Sequence, residues 1–232
     1  MFLKCELSSR VLPLACSPAA IHVHVTRRYV GADAVSSDCA GQPWVYQEAD
    51  SGKYWLFTTN NHPPRVCVAS SPDGIGWRNA STGSASVVPL PPDGTMFGNR
   101  AVWQEAGADG GGWKMLQECG TKAGVWQIFL YEGSSPLDWA VANDGKPLQQ
   151  LQRHPGSMYG GCHIATVDGV FSPRNPADGL YHIWYHAGSR GNLPTDIYHA
   201  TSPDLLFWNV TPARPVLQHQ GGGSFAFDQV GP

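Results

Sequence analysis

The chain has few charged residues and no long hydrophobic run, and both absences narrow what it can be. Only 14% of its 232 residues are Asp, Glu, Lys or Arg, and the formal net charge at pH 7 is −3. Apart from Arg27-Arg28 there is no run of basic residues, so nothing favours binding to nucleic acid or to an anionic membrane. No stretch approaches the apolar length of about 18 residues that a membrane-spanning helix needs. We therefore expect neither a nucleic-acid partner nor a membrane partner.

Cysteine and histidine spacings typical of metal or redox sites are also missing. The six cysteines include no Cys-x-x-Cys pair, which excludes zinc ribbons and thioredoxin-type motifs. Cys67 lies inside an apolar run, and we expect it to be a buried free thiol. His182, His186 and His199 lack the close spacing of a zinc site. We expect no metal and no cofactor.

The sequence leaves the localisation open between secreted and cytoplasmic. The first 20 residues are only faintly signal-like, because they carry Glu6 and Arg10 and lack a continuous apolar core. Two glycosylation sequons, which begin at Asn79 and Asn209, each follow a tryptophan in what we expect to be a surface turn. Neither feature decides the compartment.

The most informative feature that is present is a pattern that occurs three times. Each copy holds about three short apolar runs, followed by a Ser-Pro turn that ends in a tryptophan. These tryptophans are Trp77, Trp139 and Trp208, which lie 62 and 69 residues apart. The chain is rich in turn formers, with 27 Gly and 19 Pro, and no segment has a helical period. A strand-rich unit repeated in this way predicts an all-β propeller, because one four-stranded sheet needs neighbours to cover both of its faces.

The repeat predicts three complete blades, at about residues 40–80, 97–145 and 160–215. Residues 1–37 do not match the repeat and form an N-terminal segment or a partial blade, whereas residues 38–232 form the propeller domain. Three blades and two fragments are fewer than the roughly four to eight blades that close a propeller. We therefore expect either an incomplete propeller or a fourth blade built from the two ends.

Comparison of the three copies separates scaffold residues from candidate site residues. Matching the second strands aligns one aromatic residue from each copy: Tyr54, Trp113 and Tyr181. A later position carries a different polar residue in each copy: Thr59, Glu118 and His186. A position where the copies differ is free to serve a site, so Glu118 is either a ligand-facing carboxylate or a strand-end residue in a surface salt bridge.

Other acidic residues recur between copies, and recurrence favours a structural role. Glu48 and Glu105 follow a glutamine in consecutive blades. Three aspartates belong to the Ser-Pro turns: Asp73, Asp138 and Asp204. We expect all five to serve the scaffold.

The sequence resembles the five-bladed β-propeller glycosidases, which include the family-43 arabinanases and β-xylosidases and the related invertases and levansucrases. The resemblance rests on aromatic second strands, on Ser-Pro-Asp turns closed by tryptophan, and on an Asp-x-x-Gly-x-Pro blade opening. These motifs lie at residues 53–57 and 180–185, at 69–77 and 200–208, and at 38–43 with a defective copy at 228–232. The resemblance covers about residues 38–232 and implies a five-bladed propeller, of which this chain carries about three full blades plus partial ones.

The resemblance also implies a carbohydrate partner and hydrolysis of glycosidic bonds by acidic residues near the propeller axis. That reaction needs one carboxylic acid to protonate the leaving oxygen and one carboxylate to supply or activate the nucleophile. Glu118 is the candidate acid, and Asp38 and Asp228 at blade openings are the candidate bases or nucleophiles. The alternative for both aspartates is a turn in which the side chain binds its own backbone. Because blades two and three open without an acid, a non-catalytic carbohydrate-binding or interaction propeller, or an inactive fragment, stays open.

Five further residues are candidates for substrate binding: Asn99, Arg100, Tyr159, His163 and His186. Arg100 could bind a carboxylate or a pair of sugar hydroxyls, or it could form a buried structural ion pair. Tyr159 and His163 flank two glycines that would let the backbone approach a ligand, although His163 could equally be a core histidine. Innermost strands of different blades meet only at the axis. We therefore expect Arg100, Glu118 and His163 to converge on one pocket there.

Overall fold

In the computed structural model the chain forms three four-stranded antiparallel sheets. The structure describes residues 39, 41–81, 86–105, 112–124, 126–148, 151, 163–164, 174–188, 196–210 and 215–216. Blade 1 contains β1 (Gly41–Gln47), β2 (Tyr54–Asn61), β3 (Pro64–Ser71) and β4 (Arg78–Asn79). Blade 2 contains β5 (Gly94–Gln104), β6 (Trp113–Thr121), β7 (Trp126–Ser135) and β8 (Asp138–Val141), followed by a 3-10 turn at Asn143–Gly145. Blade 3 contains β9 (His163–Ile164), β10 (Tyr181–Gly188), β11 (Asp196–Ser202) and β12 (Asn209–Val210).

The three sheets confirm the blades predicted from the repeat. Neighbouring strands in each sheet follow one another in sequence, and Tyr54, Trp113 and Tyr181 each begin the second strand of their blade. The fold is therefore all-β. The division at residue 38 stays a prediction, because residues 1–37 lie outside the described ranges. No helix in the described ranges is long and apolar enough to span a membrane.

Two hydrophobic cores lie between the sheets and bury both faces of blade 2. The core between blades 1 and 2 includes Phe57, Val68, Trp113, Met115 and Trp139. The core between blades 2 and 3 includes Leu116, Leu130, Tyr181, Ile183 and Trp208. Met115 and Leu116 are consecutive residues of β6 but belong to different cores, because side chains alternate across a strand. A sheet covered on both faces in this way is packed as a propeller blade.

The Ser-Pro-Asp turns of blades 1 and 3 share one hydrogen-bond pattern. The Asp73 carboxylate accepts hydrogen bonds from the backbone N–H groups two and three residues further on, both at 2.9 Å, and from the Ser71 hydroxyl at 2.8 Å. Asp204 accepts the equivalent bonds at 2.9 and 2.8 Å, and a third from Ser202 at 3.2 Å. The backbone hydrogen bonds hold the pKa of both carboxyls below their usual value. Asp138 instead begins β8 and accepts a hydrogen bond from the Ser134 hydroxyl at 2.6 Å, so all three aspartates serve the turns.

The prediction that Cys67 is a free thiol is wrong. Cys67 in β3 forms a disulfide with Cys39, which lies 28 residues earlier, and their Cα atoms are 6.3 Å apart. The apolar character of β3 indicates that Cys67 lies in the sheet, but it carries no information about which residue lies beside it. Cys119 in β6 is a buried free cysteine.

Candidate functional site

The candidate site lies where β5 bulges against β6 in blade 2. Phe97 pairs with Cys119 and Arg100 pairs with Gln117, so two residues of β5, Gly98 and Asn99, lie opposite Glu118 alone. A bulge of this kind bends the strand and redirects its backbone groups. It brings the backbone N–H of Asn99 close to the Glu118 side chain.

Glu118 is a buried carboxylate, with 5% of its surface exposed, and no other carboxylate whose side chain the structure describes is buried. Its Oε2 accepts a hydrogen bond from the backbone N–H of Asn99 at 3.1 Å. The absence of a side chain at Gly98 makes room for this oxygen, because a Cβ there would lie 2.1 Å from it. The carboxylate therefore lies directly on the bulge, and its burial does not fit a surface salt bridge.

Glu118 faces blade 3. Leu116, two residues earlier in β6, belongs to the core between blades 2 and 3, and residues two apart share a face of a strand. Blade 3 contains β9, in which His163 pairs with Gly188 of β10. The side chain of His163 lies outside the described atoms, so its convergence with Glu118 on one pocket stays a prediction.

Arg100 lies on the opposite face of blade 2, with 1% of its surface exposed. Its Nε donates to Gln117 Oε1 at 2.8 Å, its Nη1 to the carbonyl of Gln42 at 3.0 Å, and its Nη2 to the carbonyl of Gly98 at 2.9 Å. Burial lowers the pKa of the guanidinium to about 9, and the nearby Cys119 and Glu118 oppose the shift. The group is therefore charged at neutral pH and ties blade 2 to blade 1. These contacts match the structural alternative, and a role in binding substrate stays a prediction.

Sequence reasoning missed Gln117, which holds the bulge together. Its side chain is completely buried, and its Nε2 lies within hydrogen-bonding distance of three carbonyl oxygens. These belong to Gly98 at 3.0 Å, Asn99 at 3.0 Å and Glu118 at 2.7 Å. The same side chain accepts the hydrogen bond from Arg100. Gln117 thus fixes the backbone that carries the Asn99 N–H to the Glu118 carboxylate.

Comparison of the three copies could have indicated Gln117, because its position carries a different residue in each blade. It is the fifth residue of β6, where the second strands of the other blades carry Thr58 and Tyr185. The same comparison singled out the sixth position, and the structure places Thr59, Glu118 and His186 there in β2, β6 and β10 as predicted. Thr59 donates a hydrogen bond to Gln42 Oε1 at 2.7 Å. Three other candidates, Asp38, Asp228 and Tyr159, lie outside the described residues, as does the side chain of His186.

The recurring glutamates have the scaffold contacts that the repeat predicts. Glu48 Oε1 accepts a hydrogen bond from the Trp55 indole N–H at 2.9 Å. Glu105 Oε1 accepts one from the Trp103 indole at 2.7 Å and one from the Tyr181 hydroxyl at 3.0 Å. The bond from Tyr181 joins blade 3 to blade 2.

The histidines of blade 3 contact one another and a carboxylate. His182 Nδ1 lies 3.0 Å from His199 Nε2, and His182 Nε2 lies 2.9 Å from Asp178 Oδ2. Trp184 packs against the His199 ring with a centroid distance of 4.7 Å. Among the residues that the structure describes, no group of three or more His, Cys, Asp or Glu could hold a metal ion.

The packed four-stranded sheets define this chain as a β-propeller protein. Solved structures that share its fold include five-bladed propeller glycosidases, which confirms at the level of the fold the resemblance seen in the sequence. A thermostable family-43 glycoside hydrolase is similar with a TM-score of 0.55 and 20% identity, over 83% of this chain and 56% of that chain. An endo-1,4-β-xylanase from Bacteroides thetaiotaomicron has a TM-score of 0.53 and 19% identity, over 81% and 60%. A fructan 1-exohydrolase IIa from Cichorium intybus has a TM-score of 0.54 and 15% identity, over 82% and 35%.

These similarities establish the fold alone. The chemistry must be argued from the site residues, because one propeller scaffold can carry many functions. This chain spans 56% and 60% of the length of the family-43 hydrolase and the xylanase. No protein-family model matches the sequence, and the comparison with curated proteins finds no match either.

Proposed function

We propose that this chain is part of a carbohydrate-active propeller that hydrolyses glycosidic bonds. Glu118 acts as the general acid, and Asp38 or Asp228 acts as the base or nucleophile. The observation that carries the proposal is the burial of Glu118 on the face of blade 2 that meets blade 3. A buried carboxylate is costly in free energy, and such groups concentrate at functional sites.

The surroundings of Glu118 suit a carboxyl group that changes its protonation state. A general acid releases a proton to the leaving oxygen and must bind one again before the next cycle. The Asn99 N–H donates a hydrogen bond to Glu118 Oε2 and so orients the carboxyl group, and the neighbouring Leu116 belongs to an apolar core. A carboxyl group that is held in one orientation is suited to deliver a proton to a bound substrate.

The proposed partner is an oligosaccharide or polysaccharide. Two of the solved structures with this fold are named as enzymes that act on xylan and on fructan, and a related substrate class is proposed for this chain. A net charge of −3 and the lack of a basic run give no support to a nucleic-acid or membrane partner.

A non-catalytic carbohydrate-binding propeller is the second candidate. The opening of blade 2 carries Gly98, Asn99 and Arg100 rather than an acid, and Arg100 is committed to contacts within the protein. The opening of blade 3, around residues 159–163, also lacks an acid in the sequence. Because neither opening supplies a carboxylate, hydrolysis would need Asp38 or Asp228 as its second carboxylate. Without one of them, the propeller would bind carbohydrate but not cleave it.

The test is Glu118→Gln in the full-length protein, assayed on a panel of aryl glycosides and for oligosaccharide binding. Loss of a general acid should lower the hydrolysis rate about 10²- to 10⁴-fold and leave binding largely unchanged. Glu48→Gln is the matched control, because an amide oxygen at this position can still accept the hydrogen bond from Trp55. A wild-type protein that binds oligosaccharide but cleaves no member of the panel would establish the second candidate. A protein that neither binds nor cleaves would contradict both.

A further inference from the structure

The outermost strand of blade 1 ends in a sequon that the proposed reaction does not use. Asn79 is the last residue of β4 and begins the triplet Asn79-Ala80-Ser81, the acceptor pattern for an N-linked glycan. Asn79 is exposed to solvent, whereas Ser81 is buried. Within its sheet β4 pairs with β3, and it is the last strand in the order, so it lies at the outer edge of the blade.

The hydrogen bonds of this triplet orient the Asn79 amide. Its Oδ1 accepts a hydrogen bond from the Ser81 backbone N–H at 3.1 Å and from the Ser81 hydroxyl at 3.0 Å. The Ser81 hydroxyl oxygen in turn accepts one from the Val68 N–H of β3 at 3.4 Å. The carbonyl side of the amide is therefore held against the sheet. Because the amide is planar, its Nδ2 lies on the other side of the group, and none of its described hydrogen bonds uses Nδ2.

Nδ2 is the atom to which an N-linked glycan is attached. In the transfer, a bond forms between Nδ2 and the anomeric carbon of the sugar, and the bond from that carbon to the phosphate oxygen of an activated glycosyl diphosphate donor breaks. The diphosphate leaves with the electron pair of the broken bond, and Nδ2 gives one proton to a base of the glycosyltransferase and keeps the other. The amide carbonyl is unchanged, so every hydrogen bond that Asn79 makes in the described structure persists after modification.

The disulfide of the same blade supplies an independent observation about the compartment. Cys39 and Cys67 are joined, and Cys67 lies in β3, the strand that pairs with β4. Disulfides form and persist in oxidising compartments such as the endoplasmic reticulum lumen and the cell exterior, and they are rare in the cytosol. Asparagine-linked glycans in eukaryotes are added in that same lumen.

We propose that Asn79 carries an N-linked glycan on the outer edge of blade 1 and that the chain folds in an oxidising secretory compartment. The proposal does not depend on carbohydrate hydrolysis, because Asn79 belongs to an outermost strand whereas Glu118 is buried in blade 2. Asn209 in β12 is also an exposed residue of an outermost strand, and it begins the second sequon. Its Thr211 lies outside the described residues, so the geometric argument is made for Asn79.

The test is expression of the whole chain behind a cleavable leader in a eukaryotic secretory host. The protein from medium and cells is treated with a peptide N-glycosidase in ¹⁸O-labelled water and analysed by peptide mass spectrometry. We expect the Asn79 peptide to carry a glycan before treatment and an ¹⁸O-labelled aspartate at position 79 after it. Ser81→Thr should keep the glycan, because the hydroxyl remains. Asn79→Asp should lose it while keeping the melting temperature, since Oδ1 is retained.

An unmodified Asn79 peptide overturns the proposal, whether the chain is found in the medium or inside the cells. Free thiols at Cys39 and Cys67 in the secreted protein overturn the statement about the folding compartment. Neither readout uses hydrolysis, so an inactive protein with a glycan at Asn79 contradicts the proposed function and supports this inference.

Discussion

Replacing Gly98 with alanine should displace the Glu118 carboxylate without altering any residue that takes part in the proposed chemistry. The new Cβ would lie 2.1 Å from Glu118 Oε2 and 2.6 Å from Cδ. Non-bonded heavy atoms have their optimal separation at about 3.5–4.0 Å, so the carboxylate must move by about 1.4 Å or more. A displacement of this size breaks the 3.1 Å hydrogen bond from the Asn99 N–H.

The magnitude follows from that hydrogen bond. A hydrogen bond contributes about 0.5–1.5 kcal/mol to stability when both groups are neutral and about 1.5–3 kcal/mol when one of them is charged. Gly98 is not among the glycines with positive φ, so alanine adds no backbone strain of its own. We therefore expect Gly98→Ala to lower the free energy of unfolding by about 1–3 kcal/mol. If Glu118 is the general acid, the same variant should also lose hydrolytic activity.

The assay is a double-mutant cycle measured by urea unfolding and followed by tryptophan fluorescence. Glu118→Ala removes the three atoms nearest to the new Cβ. In that background Gly98→Ala should therefore leave the free energy of unfolding almost unchanged. Gly112→Ala is the control, because a Cβ there meets its nearest atom at 3.7 Å, and we expect a change within about 0.5 kcal/mol. If Gly98→Ala costs the same with and without the Glu118 side chain, the steric argument is refuted.

Two further predictions concern the disulfide and the blade turns. Replacing both Cys39 and Cys67 with serine opens a loop of 28 residues and should lower the free energy of unfolding by about 3–4 kcal/mol, and an unchanged urea midpoint would contradict this. The folded-state pKa of Asp73 lies below its unfolded value, so its contribution to stability is present above about pH 4 and is lost as the pH falls through the folded pKa. Asp73→Asn should therefore flatten the loss of stability between about pH 5 and pH 2, and Asp50→Asn at another exposed turn is the control. An Asp73→Asn profile identical to that of the wild type would count against the turn as a source of acid sensitivity.

The sequence predicted those parts of the fold that every blade must contain. Tyr54, Trp113 and Tyr181 could be aligned because the second strand has the same packing task in each sheet, and the structure places all three at the start of that strand. Asp73 and Asp204 could be recognised as turn residues because the turn needs the same carboxylate twice. Repetition within one chain thus distinguished scaffold from candidate site.

The details of the site could not be predicted, because they depend on the pairing of strands rather than on the pattern within one strand. The bulge at Gly98 and Asn99 shifts the register of β5 against β6. The shift leaves Arg100 facing blade 1 and Glu118 facing blade 3, and their convergence with His163 on one pocket stays a prediction. The disulfide partner of Cys67 depends on the fold in the same way, because Cys39 belongs to no strand.

The two inter-blade cores also differ in their aromatic content, and this gives the core between blades 1 and 2 an optical signal of its own. Between blades 1 and 2, the Trp113 ring lies edge-on to Trp55 at 6.4 Å and to Trp139 at 6.5 Å between centroids. Between blades 2 and 3, Trp103 lies 6.5 Å from Tyr181 in a tilted arrangement. Indoles at such distances couple their electronic transitions, so the first interface contributes an exciton signal to the circular dichroism that the tilted tryptophan–tyrosine pair lacks. Because Trp55 and Trp113 belong to different blades, loss of their shared signal on heating reports, without a label, the temperature at which blades 1 and 2 separate.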